Sequence, residues 1–204
     1  MPGKFSDPKT KNLTDVELVQ LSLENKEFFR HIILRYESKL SQYIKRMTNV
    51  NQEEFQDILQ DIFIKVYRNL NGFNQNLQFS SWIYRIAHNE VINYYHKNKS
   101  RANIAKISLN NADILSLSGQ ITDSSDQYNQ VALQENADKI REILAKLPNK
   151  YREVLVLRYL EEKKYDEISD ILRKPPGTVA TLINRGKSKF KKIAKYYDLV
   201  IKDA

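Results

Sequence analysis

Between Ile171 and Tyr197 the sequence carries Arg173, Lys174, Arg185, Lys187, Lys189, Lys191, Lys192 and Lys195 and no acidic residue. A helix with that charge can lie in a DNA major groove, its N-terminal end near base edges and its cations near phosphates. The plainer reading is a solvated basic helix that stabilises its own C-terminus through the macrodipole. A second constellation is Asp57, Gln60 and Asp61, spaced by three and four so that they share one helix face, with Arg68 beyond them. Two carboxylates suggest a cation, yet no histidine or third carboxylate falls at ligand spacing, so no metal is expected there. His31, His88 and His96 show no metal pairing either, and His88 and His96 are expected to face DNA or solvent. A third feature is the run from Asn71 to Phe79, NGFNQNLQF, in which amides and aromatics crowd into loop chemistry.

Composition bounds what these groups can be. The chain has 204 residues, enough for two small domains, with Lys+Arg 33 against Asp+Glu 25 and a net charge of +8. A polyanionic partner is the first expectation, and nucleic acid leads. Hydrophobic residues make up 41% and charged residues 28%, the balance of a chain that folds. The absence of cysteine excludes disulfides, thiolate zinc sites, iron–sulfur clusters and cysteine nucleophiles. Met1 to Lys11 has no apolar h-region, and the longest clean apolar stretch, Val154 to Leu157, is too short to span a bilayer. A cytoplasmic protein without membrane insertion is therefore expected.

Only five glycines and five prolines, and no sustained alternation, predict an all-α fold. Residues 1–11 read as a mobile tail. From Leu18 the apolar positions keep helical spacing through Ile32, Ile33, Tyr36, Leu40, Tyr43, Ile44 and Met47: one long helix, with room for a short one before it. Asn51 and Glu54 form the pattern of a capping box ahead of the buried stripe Phe55, Ile58, Leu59, Ile62, Phe63, Val66, Tyr67 and Leu70. A third helix runs to about Asn98, with Ser80 or Ser81 as its cap and Ile83, Ile86, Ala87 and Tyr94 inward. Residues 102–134, rich in Ser, Asn and Asp, read as a linker between two domains, 12–101 and 135–204. Periodicity returns at Ala137, Ile140, Leu144 and Leu147, stops at Pro148 and resumes through Val154, Leu155 and Tyr159. A short helix from Tyr165, a break at RKPPG and a last helix through Val179, Ile183, Gly186, Phe190, Ile193 and Tyr197 have the shape of a helix-turn-helix.

At this point a family resemblance becomes specific. Leu147-Pro148, Tyr151-Arg152-Glu153-Val154, Leu157-Arg158-Tyr159, Tyr165-Asp166-Glu167-Ile168, Pro176-Gly177-Thr178-Val179 and Asn184-Arg185-Gly186-Lys187 resemble region 4 of extracytoplasmic-function sigma factors of bacterial RNA polymerase. Gln56-Asp57-Ile58-Leu59-Gln60-Asp61-Ile62-Phe63, Val66-Tyr67-Arg68 and Phe79-Ser80-Ser81-Trp82-Ile83-Tyr84-Arg85-Ile86-Ala87 with Asn89 resemble region 2 of the same class. The resemblance implies two small helical domains, a region 2 bundle and a region 4 helix-turn-helix, joined by a flexible linker. It implies core RNA polymerase and promoter DNA, duplex and melted, as partners, with an anti-sigma factor as a further one the class admits. It implies no cofactor, no small-molecule substrate and no catalytic residue.

By the same resemblance, Asp57, Gln60, Asp61 and Arg68 dock on the clamp helices of the polymerase. Phe73, Asn74, Asn76 and Phe79 belong to the loop that captures a flipped base of the minus-ten element. Trp82, Tyr84, Arg85, His88, Asn89, His96 and Lys99 continue it as a track for the melted strand, although a lone Trp early in an amphipathic helix is more often core than ligand. Thr178, Thr181, Asn184, Arg185 and Lys187 read the minus-thirty-five element. The chain departs from the family in having Gln56 for an acidic residue, and Ala180 and Leu182 where basic residues are frequent. The competing reading is a helix-turn-helix regulator that binds duplex operators without polymerase. It leaves the amide-rich loop and the FSSWIYRIA segment idle. A nucleic-acid enzyme would need a nucleophile or metal constellation that the sequence does not offer.

Overall fold

The computed structural model describes residues 13–104 and 139–197, with side chains for all of them except 98–104. The expected tail and all but the first three residues of the expected linker lie outside the described residues. Every described element is helical: α1 (Asp15–Glu24), α2 (Phe29–Met47), α3 (Gln52–Asn69) and α4 (Phe79–Ile104), then α5 (helical residues 139–146), α6 (Asn149–Leu155), α7 (Tyr165–Leu172) and α8 (Pro176–Ala194).

Local chemistry sets these boundaries. Thr14 and Glu17 close a capping box on α1, and Asn51 with Glu54 closes the expected one on α3: the Glu54 N–H donates to Asn51 Oδ1 at 2.9 Å and the Asn51 N–H to Glu54 Oε2 at 3.3 Å. Asp15 ties α1 to α2 by accepting from Arg35 at 2.7 Å and from the Tyr36 hydroxyl at 2.6 Å. Pro148 and Pro175 sit just ahead of α6 and α8, where a missing N–H costs nothing. Arg173 ends α7 in the left-handed region at φ 51°, and the Lys174 N–H closes back on the Ser169 carbonyl at 3.1 Å.

Three expectations need correcting. Neither Ser80 nor Ser81 caps α4, which already starts at Phe79; Ser80 points to Glu167, and the Ser81 hydroxyl is buried without a partner. The helix also continues to Ile104 rather than Asn98, because no glycine or proline interrupts residues 80–104. Tyr159 is half exposed, not inward. After Leu155 the chain widens into a π turn over Val156–Leu160, closed by Glu161 N–H on the Val156 carbonyl at 3.0 Å, and the extra residue per turn shifts the stripe.

In the first half α2, α3 and α4 converge on Leu40, Tyr43, Ile44, Ile62, Val66, Ile83, Ala87 and Val91. In the second, α5 to α8 enclose Ile143, Leu147, Val154, Leu157, Ile168, Ile171, Val179 and Ile183. Gly186 lets α8 approach α6: a Cβ there would stand 3.2 Å from Leu155 Cγ. The halves then pack on each other, because α4 lies between α2 and α3 on one side and α7 on the other.

Polar atoms line that seam. Arg46 donates to Glu161 Oε1 at 2.6 Å and to the Leu160 carbonyl at 2.8 Å, while the Tyr84 hydroxyl donates to Glu161 Oε2 at 2.7 Å. Arg152 gathers the carbonyls of Leu144 and Leu147 and reaches across to that of Met47 at 3.3 Å. His88 is buried, with Tyr43 Oη 3.0 Å from its Nδ1 and Glu153 Oε2 3.7 Å from its Nε2, while Lys174 pairs with the other oxygen of Glu153 at 3.4 Å. Burial pushes the His88 imidazole down to about 4, and the Lys174 ammonium adds to it. The neutral ring fits a Tyr43 hydroxyl that donates, since burial holds that phenol well above its ordinary range.

Truncating Ile83 to Ala should cost the first half about 2–5 kcal/mol of stability. Denaturant melts followed by the emission of Trp82, the single tryptophan, measure it, and a loss within error would mean this position is not core. The packed state holds His88 below its ordinary 6.5. His88 therefore does not oppose packing above about pH 6.5 and weakens it progressively as pH falls toward 4. Glu153, raised by burial, acts in the opposite sense. A ring-proton NMR titration should give His88 a midpoint near 4. An ordinary midpoint would show the ring to be solvated.

Candidate polymerase and nucleic-acid interfaces

On α3 the buried stripe Phe55, Ile58, Ile62, Phe63 and Val66 fixes which side turns outward. Asp57, Gln60, Asp61 and Arg68 all lie on the exposed side, together with Ile64. Asp57, Gln60 and Asp61 border a cleft whose other wall is α4, with Glu90, Asn93, Tyr94 and Lys97. At its base Lys65 donates to Glu90 at 2.5 Å and Asn93 to the same oxygen at 3.2 Å, so this carboxylate is neutralised while Asp57 and Asp61 remain at the rim. The surface offers acids, an amide, a guanidinium and two apolar side chains to a partner, because Tyr67, expected inward from the stripe, is exposed beside Ile64 while Leu59 is only half-buried.

The connection from α3 to α4 separates its amides from its aromatics. Phe73, Phe79 and Trp82 are buried and their rings stand 5.1–5.4 Å apart. Tyr84 is also buried, its ring 5.5 Å from that of Tyr43. These four side chains, read from the sequence as part of the DNA surface, serve as core in this conformation, because a short loop between two helices must cover its own base with apolar area. Asn74 and Asn76 stay exposed. The Asn76 N–H donates to Asn74 Oδ1 at 3.0 Å and the Leu77 N–H to the Asn74 carbonyl at 2.9 Å, a turn that holds both amide groups outward. Leu77 is exposed at the same tip.

Along α4 the expected strand track is partly covered. Asn89 and His96 are exposed, and Arg85 is half-buried, its Nη1 3.4 Å from Asp170 Oδ1 on α7. His88 faces neither solvent nor a free groove: α6 closes over it with Glu153. Lys99 lies beyond the described side chains. The sequence missed Glu153 and Glu161 as participants, because Glu153 sits inside an apolar helix stripe and Glu161 opens the charged run EEKK, and neither setting gives a sign of what the carboxylate faces.

On α8 the buried positions Val179, Ile183, Gly186 and Ala194 turn the opposite side out. Thr178, Thr181, Asn184 and Arg185 are exposed and Lys187 is half-buried, its ammonium 5.9 Å from the Tyr159 ring centroid. Thr181 donates back to the Gly177 carbonyl at 2.9 Å, which leaves its oxygen lone pairs and methyl free toward a groove. Leu182 is half-buried and packs against the core, and Ala180 is half-buried beside it. Among the described residues no cluster of His, Asp and Glu could hold a metal ion, and no helix is long and apolar enough to cross a membrane.

Two family models match the two halves: sigma-70 region 2 over residues 32–101 and sigma-70 region 4 over residues 137–190. The ECF RNA polymerase sigma factor SigW of Bacillus subtilis is 34% identical over 173 residues, 85% of this chain and 92% of SigW. The ECF RNA polymerase sigma-E factor of Escherichia coli K12 is 28% identical over 179 residues, 87% of this chain and 93% of its own. Among solved structures, CnrH in complex with the cytosolic domain of CnrY superposes with a TM-score of 0.64 at 20% identity, covering 89% of this chain and 97% of that one. RpoE in complex with the anti-sigma factor NepR from Bartonella quintana gives 0.63 at 17%, covering 82% and 96%. These two likenesses concern the fold. With both regions matched in order and the SigW likeness extending through most of the chain, the protein belongs to the extracytoplasmic-function (ECF) sigma factors of bacterial RNA polymerase.

Proposed function

We propose that the chain directs core RNA polymerase to two-element promoters and nucleates melting through four separate surfaces, with no chemistry of its own, in the cytoplasm. The observation that carries the assignment is exposure. Asp57, Gln60, Asp61 and Arg68 on α3 and Thr178, Thr181, Asn184 and Arg185 on α8 all remain outward after the halves have packed. The α3 face docks on polymerase. On α8 the threonines, Asn184 and Arg185 meet base edges of the minus-thirty-five element, and the cations toward its C-terminus meet phosphates.

Melting requires a base to leave the stack at a cost of a few kcal/mol, which a pocket must offset. Asn74 and Asn76 hydrogen-bond the edges of the extruded base, and the buried Phe73, Phe79 and Trp82 cluster holds their loop rigid. Arg85, Asn89, His96 and Lys99 continue as the strand track, and His88 and Tyr84 join it when region 4 moves away. Residues 12–101 and 135–204 form the two domains, and the intervening 102–134 lets each raise the effective concentration of the other. A further partner is an anti-sigma factor, as in the RpoE complex with NepR. The operator-binding regulator is not favoured, because likeness to sigma factors runs through region 2 as well as region 4.

Reversing both charges, Asp57→Lys with Asp61→Lys, should weaken association with core polymerase at least tenfold while the circular dichroism of the chain is unchanged. An unaltered pull-down would remove the α3 assignment. Asn74→Ala with Asn76→Ala should lower permanganate reactivity of the minus-ten region at least tenfold and leave polymerase binding within about twofold. Equal losses in both would show that the loop acts through docking rather than through the base. Reconstituted transcription on a genomic template library tests the whole reading: the chain must make core enzyme start at a defined set of sites.

A further inference from the structure

The exposed tip between α3 and α4 carries three consecutive amides, Asn74, Gln75 and Asn76. A side-chain amide has one end that donates and one that accepts, and the bonds made by one end decide which is left for a partner. Asn74 is fixed from within the loop: its Oδ1 takes the Asn76 N–H at 3.0 Å, so its NH2 group is the end left over. Gln75 is fixed from outside. Its Oε1 accepts from Gln20 Nε2 on α1 at 3.2 Å, which leaves the NH2 group of Gln75 for a partner as well. Among the described residues this is the one side-chain bond that reaches the tip from another element.

Gln20 sits on a helix that is itself held in place. Leu18 and Val19 just before it are buried, the capping box of Thr14 and Glu17 closes the start of α1, and Asp15 ties the helix to Arg35 and Tyr36. The same helix lies against the turn Leu70–Gly72 that leads into Phe73. We propose that Gln20 is a positioning residue for base choice: by holding the Gln75 oxygen it makes the tip present N–H donors, which fit an acceptor edge of the extruded base. The inference rests on the reading of this loop as the one that captures that base. The exocyclic carbonyl of guanine or thymine accepts from such a tip, whereas the exocyclic amine of adenine or cytosine sets N–H against N–H. Polar groups left facing each other unpaired are costly once water is excluded, so the orientation of one amide is enough to change which base is preferred.

Gln20→Glu and Gln20→Lys make opposite demands on Gln75. A carboxylate only accepts, so Gln75 must turn its NH2 group to it and present the oxygen outward; an ammonium only donates, so Gln75 keeps its orientation. Gln20 is exposed within α1 and both replacements are good helix formers, so circular dichroism should be unchanged. Each full-length protein is combined with core polymerase, and run-off transcription is measured from promoters carrying each of the four bases at every minus-ten position. The position whose base profile is altered by Asn74→Ala with Asn76→Ala is the one the loop reads. There, Gln20→Glu should raise the output of adenine and cytosine templates relative to guanine and thymine templates at least fivefold, while Gln20→Lys stays within about twofold of the unmodified chain. An unchanged ratio in Gln20→Glu, or the same change in both variants, overturns the positioning role. The asparagine variant separates the two failures. If it alters a position that the Gln20 variants do not, the loop reading stands and only the role of Gln20 has failed; if it alters none, the reading of the loop has failed and the inference with it.

Discussion

The arrangement depends on the fate of one carboxylate. Both oxygens of Glu161 are taken by the other half of the chain, one by Arg46 and one by the Tyr84 hydroxyl, and the side chain is only 5% exposed. A desolvated carboxylate is tolerable only when its lone pairs are filled by donors, and removing one partner of such a pair costs about 3–5 kcal/mol. The seam is therefore intolerant of partial opening at this point: either Arg46 and Tyr84 stay on Glu161, or water must reach all three. Tyr84 shows the same constraint from the other side, since burial and the facing carboxylate hold its phenol far above the ordinary range, so the hydroxyl remains a donor.

That pairing explains why α4 is buried around more of its circumference than a helix at the edge of a bundle. Ile83, Ala87 and Val91 belong to the region 2 core, while Tyr84 and His88, turned toward the second half, are as buried as core residues despite their polar atoms. A helix with two covered sides has a weak apolar stripe. A reader of the sequence who looks for one stripe then assigns the second covered side to solvent or to a ligand.

The elements themselves were legible because their signals are local. The capping pair Asn51 and Glu54, the stripe from Phe55 to Val66, the proline break before α6 and the break before α8 each involve residues a few positions apart; the last is shorter than RKPPG, because Pro176 and Gly177 already open α8. The faces of α3 and α8 were legible for the same reason: once the buried stripe is fixed, geometry fixes the exposed one. The π turn was not legible, since nothing in Val156–Leu160 distinguishes an i→i+5 closure from an ordinary helical turn. Nor was the burial of Phe73, Phe79 and His88, which depends on what the fold brings to them, whereas the core reading of Trp82 was open to anyone who weighed its place early in an amphipathic helix. Aromatics in a loop can stack on a base or on one another, and the choice lies in the third dimension.

The division of labour in the α3–α4 loop follows from that choice. Stacking with a flipped base is worth about 1–3 kcal/mol per base, comparable to what a buried aromatic contributes by covering apolar area, so the same ring cannot serve both ends without losing one. Here Phe73, Phe79 and Trp82 spend their surface on each other, and the groups left exposed at the tip include Asn74 and Asn76, whose amides can each donate and accept. An amide reads a base by its edge rather than by its area. A site built from hydrogen-bonding groups rejects a base that leaves them unpaired more strongly than a stacking platform does, because unpaired polar groups are costly once water is excluded. In the proposed function the loop chooses which base leaves the duplex, and the cations and amides along α4 supply the energy of holding the strand.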